Sequence, residues 1–219
     1  HQLIKYLSGK PYPFEIVVAD DGSDDDTATL IKDISVDHTN VTLLSLNHGG
    51  KGSAVRQGML AARGTWLFMC DADLSMPVEQ IDRFLPGKID PGYDIGIGSR
   101  EVAGAKRHSE PFRRHLMGRA FNWVAQVFAL WGIKDTQCGF KMFRGILAKE
   151  LFVRQKLNGF GFDVELLYLA RLAEMRIEEI GIDWYYRSGS SMTPIRGARG
   201  FLDIVNVRWN HLRGRYRAD

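Results

Sequence analysis

The first hundred residues alternate short apolar runs with amphipathic segments, and this alternation restricts the fold more than any other feature of the chain. The apolar runs at residues 14–19, 41–46, 66–70 and 93–98 predict strands, and the segments between them predict helices. Strands that alternate with helices indicate a parallel sheet with helices on both faces, and its crossover connections are expected to be right-handed. We therefore predict an α/β fold with a mostly parallel central sheet.

Polar clusters follow three of these predicted strands. Asp20 and Asp21 end the first, a glycine-rich turn around Lys51 follows the second, and Asp71 and Asp73 follow the third. In an open parallel sheet, ligands bind outside the carboxyl ends of the strands. The sequence therefore predicts that the three clusters share one ligand site.

The pair Asp71 and Asp73 is a candidate metal site. Two carboxylates two residues apart at the end of a strand point the same way and can share a hard cation that also holds a phosphate. The pattern is weak by itself, because 17 aspartates in 219 residues produce one Asp-x-Asp by chance, and Asp24 and Asp26 form a second copy. We interpret that second copy as an acidic helix start, which suits the helix dipole.

The glycine-rich turn is a candidate for a phosphate contact. Gly49, Gly50 and Gly52 surround Lys51, so backbone amides can approach an anion while the lysine adds charge. Glycine-rich turns are common, and a plain turn is the alternative. The stretch is neither a Walker A sequence nor Gly-x-Gly-x-x-Gly, so the nucleotide-hydrolase and hydride-transfer classes lose their main support.

Charge is divided unevenly along the chain. Residues 1–99 carry 8 Lys and Arg against 14 Asp and Glu, whereas residues 100–219 carry 21 against 12. The acidic part suits a metal, and the basic part suits anions or an anionic membrane surface. Arg100 ends the fourth strand, and Arg114 and Arg119 follow on a predicted helix, so all three are candidates for an anion site, with a solvated basic face as the alternative.

Two further clusters lie in the second half. Asp135 and Gln137 belong to a short polar loop, which indicates a lining of the site, because functional side chains concentrate on loops. Asp163 begins a predicted helix, where capping is a sufficient explanation and a role in the site is the alternative.

We predict one domain at residues 1–199, followed by a basic amphipathic helix within residues 200–219. This helix carries an apolar stripe, which predicts a position at a membrane interface, with packing on the domain as the alternative. Two cysteines make no disulfide framework, which favours a reducing, cytosolic setting, and we expect no leader peptide. The stripe consists of Phe201, Leu202, Val205, Trp209 and Leu212.

A family resemblance rests on a series of motifs in residues 14–190. In order these are VVADDGSDDDT, NHGGKGSAVRQGMLAARG, CDADLSMP, GSR, DTQCGFKMF, FDVELLYLAR and IGIDWYYRSGS. The chain resembles the family 2 glycosyltransferases of GT-A fold, and among them the dolichyl-phosphate and polyprenyl-phosphate glycosyltransferases of the β-glucosyltransferase type. The motifs DTQCGFK and FDVELL are specific, whereas DDGS and Asp-x-Asp are shared more widely.

The resemblance implies an inverting transfer of a hexose, with glucose favoured, from a nucleotide sugar to a polyprenyl or dolichyl phosphate. It favours UDP-glucose as donor, with GDP-mannose as the alternative. A hydroxyl acceptor and a catalytically inactive nucleotide-sugar-binding module remain as further alternatives. It also implies a peripheral position at the cytoplasmic face of a membrane, and no nucleic-acid partner is expected.

The resemblance also assigns the donor side of the site. Asp20 and Asp21 match the acidic pair that holds the nucleoside, and Lys51 lies beside them. Asp71 and Asp73 match the motif that meets Mg²⁺ or Mn²⁺ and the diphosphate of the nucleotide sugar.

On the acceptor side, the resemblance implies that Arg100, with Arg114 or Arg119, receives the acceptor phosphate. Asp135, Gln137 and Asp163 match positions near the sugar, and together with Asp73 they are the candidate catalytic residues. Because a phosphate monoester is already ionised at neutral pH, it needs no general base. Asp163 is therefore expected to orient the sugar or acceptor without taking a proton.

Three departures from the family pattern are visible. The family's opening strand is not found in this chain. Leu74 and Ser75 follow the Asp-x-Asp motif, and this pair does not decide which sugar is transferred. Gly189, Ser190 and Ser191 stand where the family has Gly-Ser-Lys, so a cation is missing there.

Overall fold

The structure is a computed structural model that describes residues 1–85, 92–128, 130–187 and 194–216, without the side chains of residues 113, 114 and 194–199. The departure at residues 189–191 lies outside these ranges. The elements in chain order are α1 (Gln2–Ser8), β1 (Ile16–Asp20), α2 (Thr27–Asp37), β2 (Val41–Ser45), α3 (Lys51–Ala61), β3 (Trp66–Met69), a 3₁₀ helix (Val78–Phe84), β4 (Ile95–Ser99), β5 (Lys106–His108), α4 (Phe112–Phe128), β6 (Lys141–Arg144), α5 (Gly145–Arg154), α6 (Phe162–Leu172), β7 (Ile177–Gly181), β8 (Asp183–Tyr185) and α7 (Pro194–Leu212).

The strands form one four-stranded sheet and two strand pairs. The larger sheet has the order β3-β6-β4-β7, while β1 pairs with β2 and β5 pairs with β8. Three of the pairings, β1 with β2, β4 with β7 and β5 with β8, are parallel. Strand β6 runs antiparallel to both of its neighbours. The predicted α/β class with a mostly parallel arrangement is confirmed, and the insertion of β6 is a feature that an apolar pattern does not encode.

A wide cleft separates the β1-β2 pair from β3. The edge of β1 that faces away from β2 and the edge of β3 that faces away from β6 have no strand partner among the described residues. Residues 16–19 and 66–69 from these two strands line the cleft, whose volume is 2910 Å³. The cleft continues along the carboxyl ends of both strands, where the predicted polar clusters lie.

Helix α6 is the most deeply buried helix in the described part of the chain. Leu166, Leu167 and Leu169 point in different directions around it, and all three are completely buried. A helix that is apolar on all sides packs inside a core, not at its surface. The first turn of α6 is therefore rigidly held, and this turn carries Asp163.

Helices α4 and α7 pack against each other beside the cleft. The rings of Phe121 and Phe201 lie 5.1 Å apart, and Ile204 and Val207 of α7 are completely buried in the main core. The predicted domain boundary between residues 199 and 200 falls inside α7, and the two-part division of the chain stays a prediction. None of the helices in the described ranges is both long enough and apolar enough to span a bilayer.

Candidate active site

The cleft brings together most of the side chains that the sequence singles out. Eight of them line it: Asp21, Lys51, Asp71, Asp73, Arg100, Asp135, Gln137 and Asp163. They come from the ends of β1, β3 and β4, the start of α3, the loop before β6 and the start of α6. Among the predicted residues with described side chains, Asp20 and Arg119 do not line the cleft, and the side chain of Arg114 lies outside the description.

Lys51 and Asp71 form an ion pair in the cleft. The ammonium nitrogen of Lys51, at the start of α3, lies 2.7 Å from Oδ1 of Asp71 at the end of β3. Burial lowers the pKa of Lys51, but the attraction of Asp71 and Asp163 outweighs it, so the net shift of the pKa is upward. The lysine is therefore charged, and it partly neutralises the acidic end of β3.

Gly139, in the loop before β6, lies directly against the carboxylate of Asp71. A Cβ atom at this position would lie 2.1 Å from Oδ2 of Asp71, far inside contact distance. A side chain there would displace the Asp71 carboxylate from its place beside Lys51. The glycine of the DTQCGF motif thus makes room for the acidic motif of a different strand.

Asp73 lies on the surface of the cleft in a tight turn. Its carboxylate accepts the backbone N–H of Ser75 at 2.9 Å, and the intervening Leu74 has a φ of 46°. Asp73 is exposed, and the side chain of Asp71 is 35% exposed. Both carboxylates are therefore accessible from the cleft.

The donor set of Asp71 and Asp73 fits Mg²⁺ or Mn²⁺, which prefer carboxylate oxygens. No cluster of three or more potential metal ligands occurs among the residues that the structure describes. Any cation held here would complete its coordination with oxygens of a ligand and with water, as Mg²⁺ commonly does beside a nucleotide diphosphate.

A buried ion pair between Lys141 and Asp163 is the main feature that sequence reasoning missed. Lys141 is completely buried, and its ammonium nitrogen donates to Oδ1 of Asp163 at 2.5 Å and to the carbonyl oxygen of Cys138. Lys141 begins strand β6 and is followed by the apolar residues Met142 and Phe143. A charged residue in such a strand is a signal for a buried partner of opposite charge, since an unpaired charge is very costly inside a protein.

Burial raises the pKa of Asp163, and Lys141 and Lys51 only partly offset this effect, so the pKa of Asp163 lies above its ordinary range. Asp163 is 3% exposed and sits at the start of the buried helix α6. Because Lys141 already holds one of its oxygens, the carboxyl group has a fixed orientation toward the cleft. This arrangement suits a group that positions a ligand.

The amides of the glycine-rich turn have partners within the protein. The amides of Gly49 and Gly50 donate to the Asp21 carboxylate at 2.8 and 3.0 Å, and the amide of Gly52 donates to the carbonyl oxygen of Asn158 at 2.8 Å. These three amides are therefore engaged within the protein, and a phosphate contact by the turn stays a prediction. The turn holds the Asp21 carboxylate at the start of α3, because the amides of Gly49 and Gly50 donate to it.

Asp20 and Asp21 have different surroundings, although they are adjacent in sequence. Asp20 is buried, and one of its oxygens accepts the hydroxyl and the backbone N–H of Ser23. Asp21 lines the cleft, and its Oδ2 lies 3.0 Å from Nδ1 of the exposed His48. Of the two, Asp21 is the one whose carboxylate lies at the surface of the cleft.

Arg100 and Asp135, which also line the cleft, form a two-pronged ion pair. Nε and Nη2 of Arg100 donate to the two carboxylate oxygens of Asp135 at 2.7 and 2.8 Å. The Arg100 guanidinium also lies 5.3 Å from the centre of the Trp184 ring. Burial raises the pKa of Asp135, but the charge and hydrogen bonds of Arg100 outweigh it and hold the pKa below its ordinary range.

Glu179 holds the Asp135 loop from the other side. Its two carboxylate oxygens accept the backbone N–H groups of Lys134 and Asp135 at 2.9 and 3.1 Å. The side chain of Gln137 lines the cleft, and in the described part of the chain it makes no hydrogen bond with the protein. Its amide is thus available to a ligand.

Arg119 lies on α4 and does not line the cleft. Its guanidinium is 3.2 Å from Glu101, and the side chain is 48% exposed. Glu101 lines the cleft. Arg119 therefore reaches the rim of the cleft through Glu101 and does not itself face the interior.

The chain matches known families along most of its length. Residues 1–152 match the family described as glycosyl transferase family 2. Dolichyl-phosphate beta-glucosyltransferase of Dictyostelium discoideum is 34% identical over 96% of this chain and 69% of that protein. The enzymes of the same name from Drosophila melanogaster and Homo sapiens are 36% and 31% identical over 85% and 95% of this chain, and over 60% and 67% of those proteins.

Solved structures agree on the fold. Mannosyl-3-phosphoglycerate synthase from Rubrobacter xylanophilus superposes with a TM-score of 0.66 at 18% identity, over 100% of this chain and 69% of that one. Glucosyl-3-phosphoglycerate synthase from Mycobacterium tuberculosis, in complex with Mn²⁺ and UDP-glucose, superposes with a TM-score of 0.59 at 14% identity. The match covers 90% of this chain and 66% of that one.

The fold and the acidic strand ends in the cleft define a glycosyltransferase of GT-A fold. The chain belongs to glycosyl transferase family 2, and it is similar to dolichyl-phosphate beta-glucosyltransferases over most of its own length. It spans between 60% and 69% of the length of these relatives.

Proposed function

We propose that this protein transfers glucose from UDP-glucose to the phosphate of a dolichyl or other polyprenyl phosphate, with inversion at the anomeric carbon. The similarity to dolichyl-phosphate beta-glucosyltransferases supports the acceptor and the sugar. A neighbour of the same fold, glucosyl-3-phosphoglycerate synthase, has been solved with UDP-glucose, which is consistent with the proposed donor. The observation that carries the proposal is the cleft itself, where Asp71 and Asp73 at one strand end lie in the same cavity as the fixed carboxyl group of Asp163.

The donor is bound at the ends of β1 and β3. Asp21 lies at the surface of the cleft, where its carboxylate can accept from a base or ribose group. Lys51 and the pair Asp71 and Asp73 face the same space, so the lysine and a bound cation together can balance the charge of a diphosphate. Mg²⁺ or Mn²⁺ bound by Asp71 and Asp73 would stabilise the negative charge of the departing UDP.

The reaction is a single displacement. An acceptor phosphate oxygen forms the new bond to the anomeric carbon, and the bond between that carbon and the diphosphate oxygen breaks, so UDP departs with the electron pair. An ionised phosphate needs no base, and the protein's task is to align the two substrates. Asp163, held by Lys141, orients the sugar or the acceptor, and Gln137 offers an unpaired amide in the same cleft.

Arg100 acts on the acceptor side through Asp135. The bidentate pair orients Arg100 and balances its charge, so we propose that Arg100 fixes the Asp135 loop at the wall of the cleft. Arg119, whose side chain is 48% exposed, is the more accessible candidate for meeting a phosphate that arrives at the rim. Arg114 stays a candidate from the family resemblance alone.

We place the enzyme at the cytoplasmic face of a membrane, as a peripheral protein over the described residues. An acceptor with a polyprenyl tail is confined to a bilayer, so the cleft has to meet the membrane surface. The basic character of residues 100–219 is consistent with an anionic leaflet.

One experiment tests the proposal against its alternatives. The protein is incubated with labelled UDP-glucose or GDP-mannose, Mn²⁺ or Mg²⁺, and a short prenyl phosphate, and label is counted in the lipid phase. We expect label from UDP-glucose in the presence of either cation. Label from GDP-mannose alone would contradict the proposed donor. Nucleotide binding without transfer from any donor would instead identify an inactive nucleotide-sugar-binding module.

A further inference from the structure

Glu165 is a buried carboxylate that lies outside the cleft. It follows Asp163 by two residues on α6, and it is completely buried and does not line the cleft. Its oxygens accept the backbone N–H groups of Lys156 and Leu157 at 3.1 and 2.8 Å and the hydroxyl of Tyr216 at 2.6 Å. Burial raises the pKa of Glu165, and these hydrogen bonds partly offset the effect. A buried carboxylate depends on such donors, because an unsatisfied charge is very costly inside a protein.

Tyr216, four residues after α7, is fixed by contacts with two helices besides α6. It is 3% exposed, and its carbonyl oxygen accepts Nε of Arg154 at the end of α5 at 3.0 Å. Nδ2 of Asn210 on α7 donates to the Tyr216 hydroxyl at 3.4 Å. The hydroxyl therefore has a fixed position, and its own proton is directed to Glu165.

The segment that Glu165 holds forms a wall of the cleft. Residues 155–161 connect α5 to α6, and we call them the α5–α6 loop. Residues 157–160 of this loop line the cleft. At the far end of the loop, the amide of Gly161 donates to Oδ2 of Asp203 on α7 at 3.2 Å. The loop is thus fastened at both ends by side chains that follow it in the sequence.

The α5–α6 loop packs directly on the start of α3, which carries Lys51. The carbonyl oxygen of Asn158 accepts the amide of Gly52 at 2.8 Å, and Nε2 of Gln155 donates to the carbonyl oxygen of Gly52 at 2.9 Å. A Cβ atom on Gly50 would lie 2.7 Å from the carbonyl oxygen of Asn158, so no free space separates the two segments. The loop therefore determines where the first turn of α3 lies.

Lys51 lies between this loop and the acidic end of β3. Its ammonium nitrogen is 6.0 Å from the centre of the Phe160 ring and 2.7 Å from Oδ1 of Asp71. The attraction between the ammonium group and an anion in the cleft depends on their separation. A displacement of the first turn of α3 therefore changes how strongly Lys51 attracts a diphosphate.

We propose that Tyr216 is a positioning residue for the donor: through Glu165 it holds the α5–α6 loop against α3, and so sets the position of Lys51 at the diphosphate. Tyr216 does not line the cleft, so it acts only through these contacts. The role at the diphosphate rests on the proposed function, whereas the support of the loop and of α3 does not.

Tyr216→Phe is the main test, because it removes the hydroxyl and keeps the ring in the core. The matched control is Tyr93→Phe. Tyr93 is also buried, its hydroxyl donates to the carbonyl oxygen of Phe84, and it does not line the cleft. We expect both variants to unfold at a lower temperature than the wild type, because each loses a buried hydrogen bond.

Binding of UDP and of uridine separates positioning from a general loss of structure. Both ligands are titrated in the presence of Mg²⁺ and followed by ligand-observed NMR. In Tyr216→Phe we expect roughly fivefold weaker binding of UDP and unchanged binding of uridine, because Lys51 acts on the diphosphate. Tyr93→Phe should bind both ligands like the wild type. An equal loss for UDP and uridine, an equal loss in Tyr93→Phe, or no loss in Tyr216→Phe would overturn the proposal.

Two further variants test the path from the hydroxyl to the loop. If Tyr216 acts through Glu165, Tyr216→Phe should change the affinity for UDP much less in a Glu165→Gln background than in the wild type. Effects that multiply independently would overturn this path. Arg154→Met releases the carbonyl oxygen of Tyr216, and it replaces Tyr216→Phe in the binding measurement, with the same expected result, if Tyr216→Phe does not fold.

Hydrogen exchange measures the support of α3 without any ligand. The amides of Gly52 and Ser53 both donate to the carbonyl oxygen of Asn158, so we expect them to exchange faster in Tyr216→Phe and at the wild-type rate in Tyr93→Phe. Unchanged exchange in Tyr216→Phe would overturn the proposal. A wild type that binds UDP and transfers no glucose would refute the proposed function, while the binding and exchange results still decide the role of Tyr216. A wild type that binds no UDP would refute both the proposed function and the role at the diphosphate.

Discussion

The ammonium nitrogen of Lys51 lies 2.7 Å from Oδ1 of Asp71, so a lysine of the protein already neutralises one of the two carboxylates that would hold a cation. Both side chains are partly exposed to the cleft, at 28% and 35%. A cation that binds Asp71 has to compete with the lysine. A diphosphate that binds nearby attracts the lysine and so relieves this competition. The structure thus predicts that the metal and the nucleotide bind cooperatively.

The variant Lys51→Met separates the competition of Lys51 with the cation from its attraction to the diphosphate. We expect Mn²⁺ alone to bind roughly tenfold more tightly, a change of about 1.4 kcal/mol, because the competing charge is gone. UDP should bind more weakly, because its diphosphate loses a positive partner. Titration calorimetry measures both affinities. Lys32→Met on α2 is the matched control, since that lysine is exposed and lies outside the cleft. Unchanged Mn²⁺ affinity in Lys51→Met would contradict the competition.

Asp73→Asn tests the metal assignment. Asp73 is exposed, so the substitution should leave thermal stability unchanged, while transfer falls by at least about a hundredfold and no longer responds to added cation. The rate is measured against Mn²⁺ concentration. The matched control is Asp37→Asn at the end of α2, which should behave like the wild type. Full cation-dependent activity in Asp73→Asn would exclude this carboxylate as a ligand.

The side chains that line the cleft could be predicted from the sequence, because the apolar pattern shows where the strands end. The runs that end at Asp20 and before Asp71 are short and bounded by polar residues, and helices separate them, so their carboxyl ends have to meet at one edge. Eight predicted side chains do line one cleft. The apolar pattern does not predict which of these side chains form ion pairs or hydrogen bonds with one another.

Three features depend on tertiary contacts that periodicity does not carry. Lys141 meets Asp163 only because β6 enters the sheet antiparallel between β3 and β4. The glycine-rich turn gives its amides to Asp21, a contact across 28 residues. The apolar residues of α4 were visible in sequence, but which stripe is buried and which is exposed is decided by the packing against α7.

Asp135→Asn should destabilise the protein. The substitution leaves the guanidinium of Arg100, which is 19% exposed, without its counter-charge, and breaking a buried pair on one side costs at most about 3 to 5 kcal/mol. Urea denaturation measures the loss in the free energy of unfolding. Asp24→Asn, at an exposed position before α2, is the control and should change it little.

The same pair predicts how stability depends on pH. Arg100 holds the folded-state pKa of Asp135 below the value of roughly 3.9 that an unfolded chain has. The stabilisation by Asp135 is therefore complete above that unfolded value and is lost as the pH falls through the folded pKa. The stability difference between the wild type and Asp135→Asn should narrow in this acidic window. A difference that stays constant there would show that the carboxylate charge is not what stabilises the fold.

Asp163→Asn distinguishes an orienting group from a base. If Asp163 only positions substrates, transfer to a prenyl phosphate should fall by about tenfold, whereas loss of a required base abolishes turnover. The variant also leaves Lys141 buried without a counter-charge, so the rate has to be related to the folded fraction. The double variant Asp163→Asn/Lys141→Met removes that charge and serves as the control. Complete loss of turnover in folded protein of both variants would contradict the orienting role.

The most direct test of the account compares two acceptors that differ in one group. Labelled UDP-glucose and Mn²⁺ are supplied together with either a short prenyl phosphate or the prenyl alcohol of the same length, and the glycosylated lipid is counted. An enzyme that relies on an already ionised nucleophile should label the phosphate and leave the alcohol unlabelled. Labelling of the alcohol at an equal or higher rate would contradict a phosphate acceptor and the absence of a general base.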